Sequence, residues 1–138
     1  MSQHNTHPLS TLNDLCQNFT TGQETIHVLK NINLTFHQGD TIAITGASGS
    51  GKSSLLHLLG TLTTPTSGSI LFQGKEITTL SAQAKAHLRN NEMGFIFQFH
   101  HMLPEFTTLE NVAMQGIVGG MDRNKAFQLA HDLLQQVG

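Results

Sequence analysis

The sequence has little of what marks several functional classes. A single cysteine, Cys16, excludes an internal disulfide framework and fits a reducing compartment. No stretch approaches the roughly 18 apolar residues of a membrane span. The first ten residues are polar and His/Asn-rich, without the positively charged start and apolar run of a signal peptide. Basic residues are sparse: 7 Lys and Arg stand against 9 Asp and Glu, a formal net charge of −2, and they are scattered between Lys30 and Lys125. Such a chain has no basic face to neutralise a phosphate backbone, so no nucleic-acid partner is expected. With 138 residues and no internal repeat, the length fits one ordinary domain rather than two. These absences point to a soluble, cytoplasmic chain.

What is present reads as alternating short β runs and helices. Residues 1–11 are expected to be a flexible N-terminus, with structure starting near Leu12. Up to Phe36 the apolar residues come in short runs, with Ile32, Leu34 and Phe36 alternating, and Thr20-Thr21-Gly22-Gln23 and Gln38-Gly39-Asp40 are turn signals. This predicts an antiparallel β layer leading into a strand over 41–45. A leucine-rich helix over 54–59 should end near Gly60, and a strand over 69–72 should close at Gln73-Gly74. Residues 81–91 read as a helix and 94–97 as a buried strand. Thr108 is expected to cap a helix through Val118, with Asn111 three residues on in place of the usual Glu, before Gly119-Gly120 breaks the chain. Asp122 is a candidate cap for a last helix whose stripe includes Ala126, Leu129, Ala130, Leu133, Leu134 and Val137. Mixed elements with one strand-loop-helix unit predict an α/β fold.

The chemistry is concentrated in Gly46-Ala47-Ser48-Gly49-Ser50-Gly51-Lys52-Ser53, which fits G-x-x-x-x-G-K-[ST] throughout. Glycines let consecutive N–H groups turn inward around an anion, and the following helix adds its positive N-terminal end. In that setting Lys52 reaches the β- and γ-phosphates, the Ser53 hydroxyl ligates magnesium, and Ser54 is within reach of the α-phosphate. A turn matching by chance in this length has a probability of about 1% or less, and the flanking β run and leucine-rich helix lower it further. The implied ligand is a nucleoside triphosphate, ATP with Mg2+.

A phosphate loop serves kinases, GTPases and transport ATPases alike, so the rest of the chain decides. Leu55-Leu56-His57-Leu58-Leu59-Gly60, Pro65-Thr66-Ser67-Gly68, the 69–72 strand with Gly74 behind it, and GFIFQFHHMLPEFTTLENV over 94–112 follow in an order that resembles the ATP-binding subunits of ABC transporters. Within them the pattern is similar to the lipoprotein-releasing and MacB-like subgroup. The resemblance covers about 12–138 and implies a P-loop NTPase core of the ABC ATPase type, with the start of a helical subdomain.

It further implies that Gln98 is the Q-loop glutamine, which contacts magnesium and the attacking water. The plain alternative is a strand-end glutamine facing solvent. Phe19 stands where the family carries an aromatic ring that stacks on adenine, and a core phenylalanine is the competing reading. His100 and His101 point to opposite sides if extended, which suits no shared metal, and they read as a subgroup marker in a surface loop. The implied partners are integral membrane transporter subunits and a second ATP-binding subunit, placing the chain at the cytoplasmic face of the inner membrane.

The sequence departs from the family by carrying no Leu-Ser-Gly-Gly-Gln signature, no Walker B strand and no switch histidine. None of Asp14, Asp40, Asp122 and Asp132 follows four consecutive apolar residues. Residues 12–138 are therefore expected to be the N-terminal part of one nucleotide-binding domain, able to bind ATP with no catalytic set complete. A non-catalytic remnant that docks on a membrane subunit is one alternative. A small P-loop kinase is another, and it would need clustered lid arginines where only Arg89 and Arg123 exist.

Overall fold

The computed structural model describes residues 8–138. Strands β1 (Pro8–Thr21) and β2 (Glu24–His37) form a long antiparallel hairpin around the expected turn at Gly22-Gln23. Strand β3 (Ser67–Phe72) pairs antiparallel with the other edge of β1, and the short β4 (Lys75–Glu76) completes a sheet of order β2-β1-β3-β4. The expected antiparallel layer is present, and it starts earlier than the sequence suggests. Residues 8–11 of the expected flexible terminus belong to β1, where Ser10 and Thr11 pair with Phe72 and Leu71. Residues 1–7 lie outside the described residues.

Alternation along β1 changes phase part-way. Ser10 and Leu12 are buried, then Leu15 and Gln17, because Asp14 takes a positive φ of 46° and the register slips between Leu12 and Leu15. Asn33 secures the slip from β2: its Oδ1 accepts the Asp14 N–H and its Nδ2 donates to Asp14 Oδ1, both at 2.8 Å. Leu12, Leu15 and Leu29 from the hairpin, Ile70 and Ile77, and Leu55 and Leu58 from α1 (Lys52–Leu59) make the buried apolar set. Fully burying one such side chain contributes roughly 1.5–3 kcal/mol, so these residues fasten the helix that follows the phosphate loop to the sheet.

Two expected strands are not formed. Residues 41–45 and 94–97 carry no strand structure, Ile42 is half exposed and Ile96 fully so. A strand needs a neighbour for its N–H and C=O groups, and the sheet of the described residues ends at β2 and β4. Apolar alternation gave those segments the composition of strands without a pairing partner.

The chain divides into two compact units at Lys85, with α2 (Ala82–Glu92) spanning the division. In the second unit, α3 (Thr108–Val118) and α4 (Arg123–Val137) pack around buried Ala113, Ala126 and Ala130. The cap of α3 is Thr107, one residue earlier than expected, and Glu110 rather than Asn111 completes its capping box. Asp122 caps α4 as expected, accepting the Lys125 N–H at 3.2 Å. No helix of the described residues is long and apolar enough to cross a membrane.

Candidate functional site

The phosphate loop is built against β2. The β1–β2 register passes from Gln17↔Leu29 to Asn18↔His27 and leaves Val28 as an extra residue on β2. A Cβ on Gly51 would stand 3.0 Å from both Val28 Cγ1 and Leu29 Cδ2, so the loop's last glycine lies directly on this bulge. Gly51 also has a left-handed φ of 92° as the N-cap of α1. Close approach and backbone conformation both require glycine here.

Lys52 folds back into the loop. Its Nζ donates to the carbonyls of Gly46 at 2.9 Å and Ala47 at 2.6 Å, and more distantly to Ser50 Oγ at 3.4 Å. The Ser50 N–H closes the turn on the Ala47 carbonyl at 3.2 Å. The ammonium is thus held at the mouth of the loop by carbonyl oxygens that do not cancel its charge.

The start of α1 is open to an anion. Gly51 brings no side-chain cap, the first turn has no acidic residue, and the N–H of Leu55 makes a helical bond to the Gly51 carbonyl at 2.9 Å. The N–H groups ahead of it have no helical acceptor, and the dipole adds partial positive charge where Lys52 adds a full one. The residues fit a phosphorylated ligand. Ser53 is exposed on that first turn, where its hydroxyl suits a hard cation that takes its other ligands from phosphate and water. Among the described residues no group of three or more His, Cys, Asp or Glu could hold a metal by itself.

Residues 46–54 therefore come together as one site. Phe19 pairs with Ile26 near the tip of the β1–β2 hairpin, and at 46% exposure it is not a core side chain. Gln98 belongs to the second unit, exposed in a bend rather than at the end of a buried strand. Rings flanking it in sequence meet one another: Phe95 and Phe97 stack at 5.5 Å, and Phe97 meets His101 edge-on at 5.1 Å. His101, a loop marker by sequence, thus makes a ring contact, and no spacing rule signals it because residues 97–101 are not helical.

Comparison with known proteins follows the same loop and helices. The family model described as ABC transporter matches residues 29–138, from the leucine beneath Gly51 through α4. The chain belongs to the ABC transporter family. It is 49% identical over 130 residues to the lipoprotein-releasing system ATP-binding protein LolD of Oleidesulfovibrio alaskensis, covering 94% of this chain and 56% of that protein. To the protein of the same name from Geobacter metallireducens it is 51% identical over 125 residues, covering 91% and 56%. A solved ATP-binding cassette, a post-hydrolysis dimer bound to ADP and Pi, superposes with a TM-score of 0.83 at 31% identity over 91% of this chain and 56% of that one. This ABC transporter chain spans about half the length of the curated relatives it matches.

Proposed function

We propose that this chain is the nucleotide-binding portion of an ABC transporter ATP-binding subunit that couples ATP hydrolysis to lipoprotein release from the inner membrane. The observation that carries the reading is the placement of Lys52 Nζ within 3 Å of the Gly46 and Ala47 carbonyls, beside an uncapped helix start. Near-50% identity to LolD proteins supports the lipoprotein-releasing assignment.

In this reading the N–H groups of 46–54 cradle the phosphates and Lys52 neutralises the β- and γ-phosphates. The Ser53 hydroxyl takes a magnesium ion, which when bound supplies charge neutralisation to the phosphate oxygens. Exposed Phe19 and its neighbour Ile26 offer the adenine a flat apolar platform. Gln98 is carried as the Q-loop glutamine by its position in the family's motif alone. The partners are integral membrane transporter subunits and a second ATP-binding subunit, as in the dimeric cassette, and the chain sits at the cytoplasmic face of the inner membrane.

Calorimetric titration of wild type and Lys52→Ala with Mg-ATP tests the reading. Losing a charge-assisted contact worth about 1.5–3 kcal/mol should weaken binding about ten- to a hundredfold. Equal affinities would overturn it.

A further inference from the structure

Strand β1 runs on past the end of its ladder with β3. The last rung pairs Cys16 with Ser67, and the Thr66 N–H donates to the Cys16 carbonyl at 2.9 Å. One step further the Thr66 side chain takes over, its Oγ1 accepting the Asn18 N–H at 2.9 Å. Toward β2, Asn18 stands opposite His27, and its Oδ1 shares a hydrogen bond with His27 Nδ1 at 2.8 Å. Asn18 is thus tied on both sides.

The next rung is Phe19 with Ile26, the half-exposed apolar pair offered to the base. Successive residues of a strand face opposite sides, so the Asn18–His27 bond backs that pair from behind. Beyond Cys16 the hairpin has no third strand, and a two-stranded ribbon is marginal by itself. A base platform free to sway would have to be ordered at each binding event, at a cost in affinity.

The same few residues meet the phosphate site. Ile26 is two residues, about 7 Å along the strand, from Val28, which lies beneath Gly51 at the start of α1. Thr66 lies on the loop that leaves the other end of α1 and leads into β3. The hairpin tip is therefore referenced to the phosphate loop twice, through the bulge at Val28 and through the Thr66 hydroxyl.

We propose that Thr66 and Asn18 are positioning residues for the nucleotide base: their bonds hold the Phe19–Ile26 platform at the distance from the phosphate loop that one nucleoside triphosphate spans. This rests on the nucleotide reading above, and it adds the residues that set the base's share of the affinity.

The test titrates the full 138-residue chain by calorimetry with Mg-ATP and with Mg-tripolyphosphate, which carries the phosphates and no base. Wild type should bind ATP more tightly than tripolyphosphate, and Phe19→Ala should cut ATP affinity roughly fivefold or more. Thr66→Val, which loses the acceptor, and Asn18→Ala, which loses the His27 bond, should each weaken ATP about two- to tenfold with tripolyphosphate affinity unchanged. Thr66→Ser should bind like wild type, and Thr66→Val should add little to Phe19→Ala, because both act on one platform. Equal losses of ATP and tripolyphosphate in Thr66→Val, undiminished ATP affinity in it, or full additivity with Phe19→Ala would overturn the proposal. Wild-type ATP affinity in Phe19→Ala would remove the platform and the proposal with it. Wild-type affinity of Lys52→Ala for both ligands would instead overturn the phosphate reading on which the proposal rests.

Discussion

Gly51 lies so close to β2 that a methyl group on its Cα would stand 3.0 Å from Val28 Cγ1 and 3.1 Å from the Val28 carbonyl oxygen. The contact joins the sheet to the phosphate loop, so the bulge in the β1–β2 register sets where the loop sits. Gly51→Ala is expected to destabilise the chain by about 1–2 kcal/mol from the left-handed backbone alone, with further loss from the crowding. Mg-ATP affinity should fall with it. Gly22→Ala is the control, since it shares a positive φ but has open space around its Cα. Thermal melts showing equal losses for the two would contradict the close-approach account.

A second test separates backbone geometry from charge at the same loop. A Cβ on Gly46 would come within 2.8 Å of Ser50 Oγ, the hydroxyl that also receives the longest Lys52 bond. Gly46→Ala should therefore push Ser50 away and weaken Mg-ATP binding, and Gly46→Ala/Ser50→Gly should recover part of the loss, because φ at Gly46 remains positive at 153°. Titration calorimetry showing no recovery in the double variant would place the whole effect in the backbone.

The capping box of α3 gives a pH-dependent prediction. Glu110 Oε2 accepts from the Thr107 N–H and Thr107 Oγ1, both at 2.8 Å. These bonds, the backbone one first, hold its pKa below the ordinary glutamate value, with a lesser contribution from Arg123. A carboxylate with a depressed folded pKa contributes stability that is present above its unfolded pKa and lost as pH falls through the folded one. The first turn of α3 should therefore hold unchanged from neutral pH to the ordinary glutamate range and loosen only below it. An NMR titration should place the Glu110 midpoint on the acid side of a model peptide. A midpoint at or above that of the peptide would refute the assigned bonds.

Much of this was legible because it is local. The glycine loop, the Gly22 turn, the Asp122 cap and the Gly60 and Gly119 stops are written in short spacings that depend on few distant residues. The strands expected at 41–45 and 94–97 were not, because pairing depends on a neighbour and side-chain alternation carries no information about one. The phase slip at Asp14 was hidden for another reason: Asp and Asn tolerate positive φ without any glycine to mark the site. Asn111 escaped notice as the acceptor for the Leu103 N–H because that bond reaches back eight residues, outside any helical or strand period. At the candidate site, the 46–54 segment is marked by its own spacing in the sequence, whereas for Phe19 only the structure distinguished exposed from core.

The last prediction concerns turnover. Anion contacts from 46–54 are local, so the chain should hold Mg-ATP by itself. Hydrolysis also needs an oriented water and charge stabilisation around the transferred phosphoryl group. The aspartates are placed for other tasks. Asp14 is tied to Asn33, Asp40 accepts from the His37 N–H, Asp122 caps α4, and Asp132 neighbours His131 on the surface of that helix. Losing one catalytic electrostatic element commonly costs a factor of about 10²–10³, and the 138 residues supply neither the signature loop nor the Walker B carboxylate that their resemblance to the family leads one to expect. Phosphate release by this polypeptide should therefore equal that of Lys52→Ala, and it should rise only when the portion of the Geobacter metallireducens relative beyond the matched region is co-expressed with it. Lys52-dependent turnover by the 138 residues alone would mean that the water is activated by a group already present in this chain, and the exposed Gln98 amide would then be the first to replace.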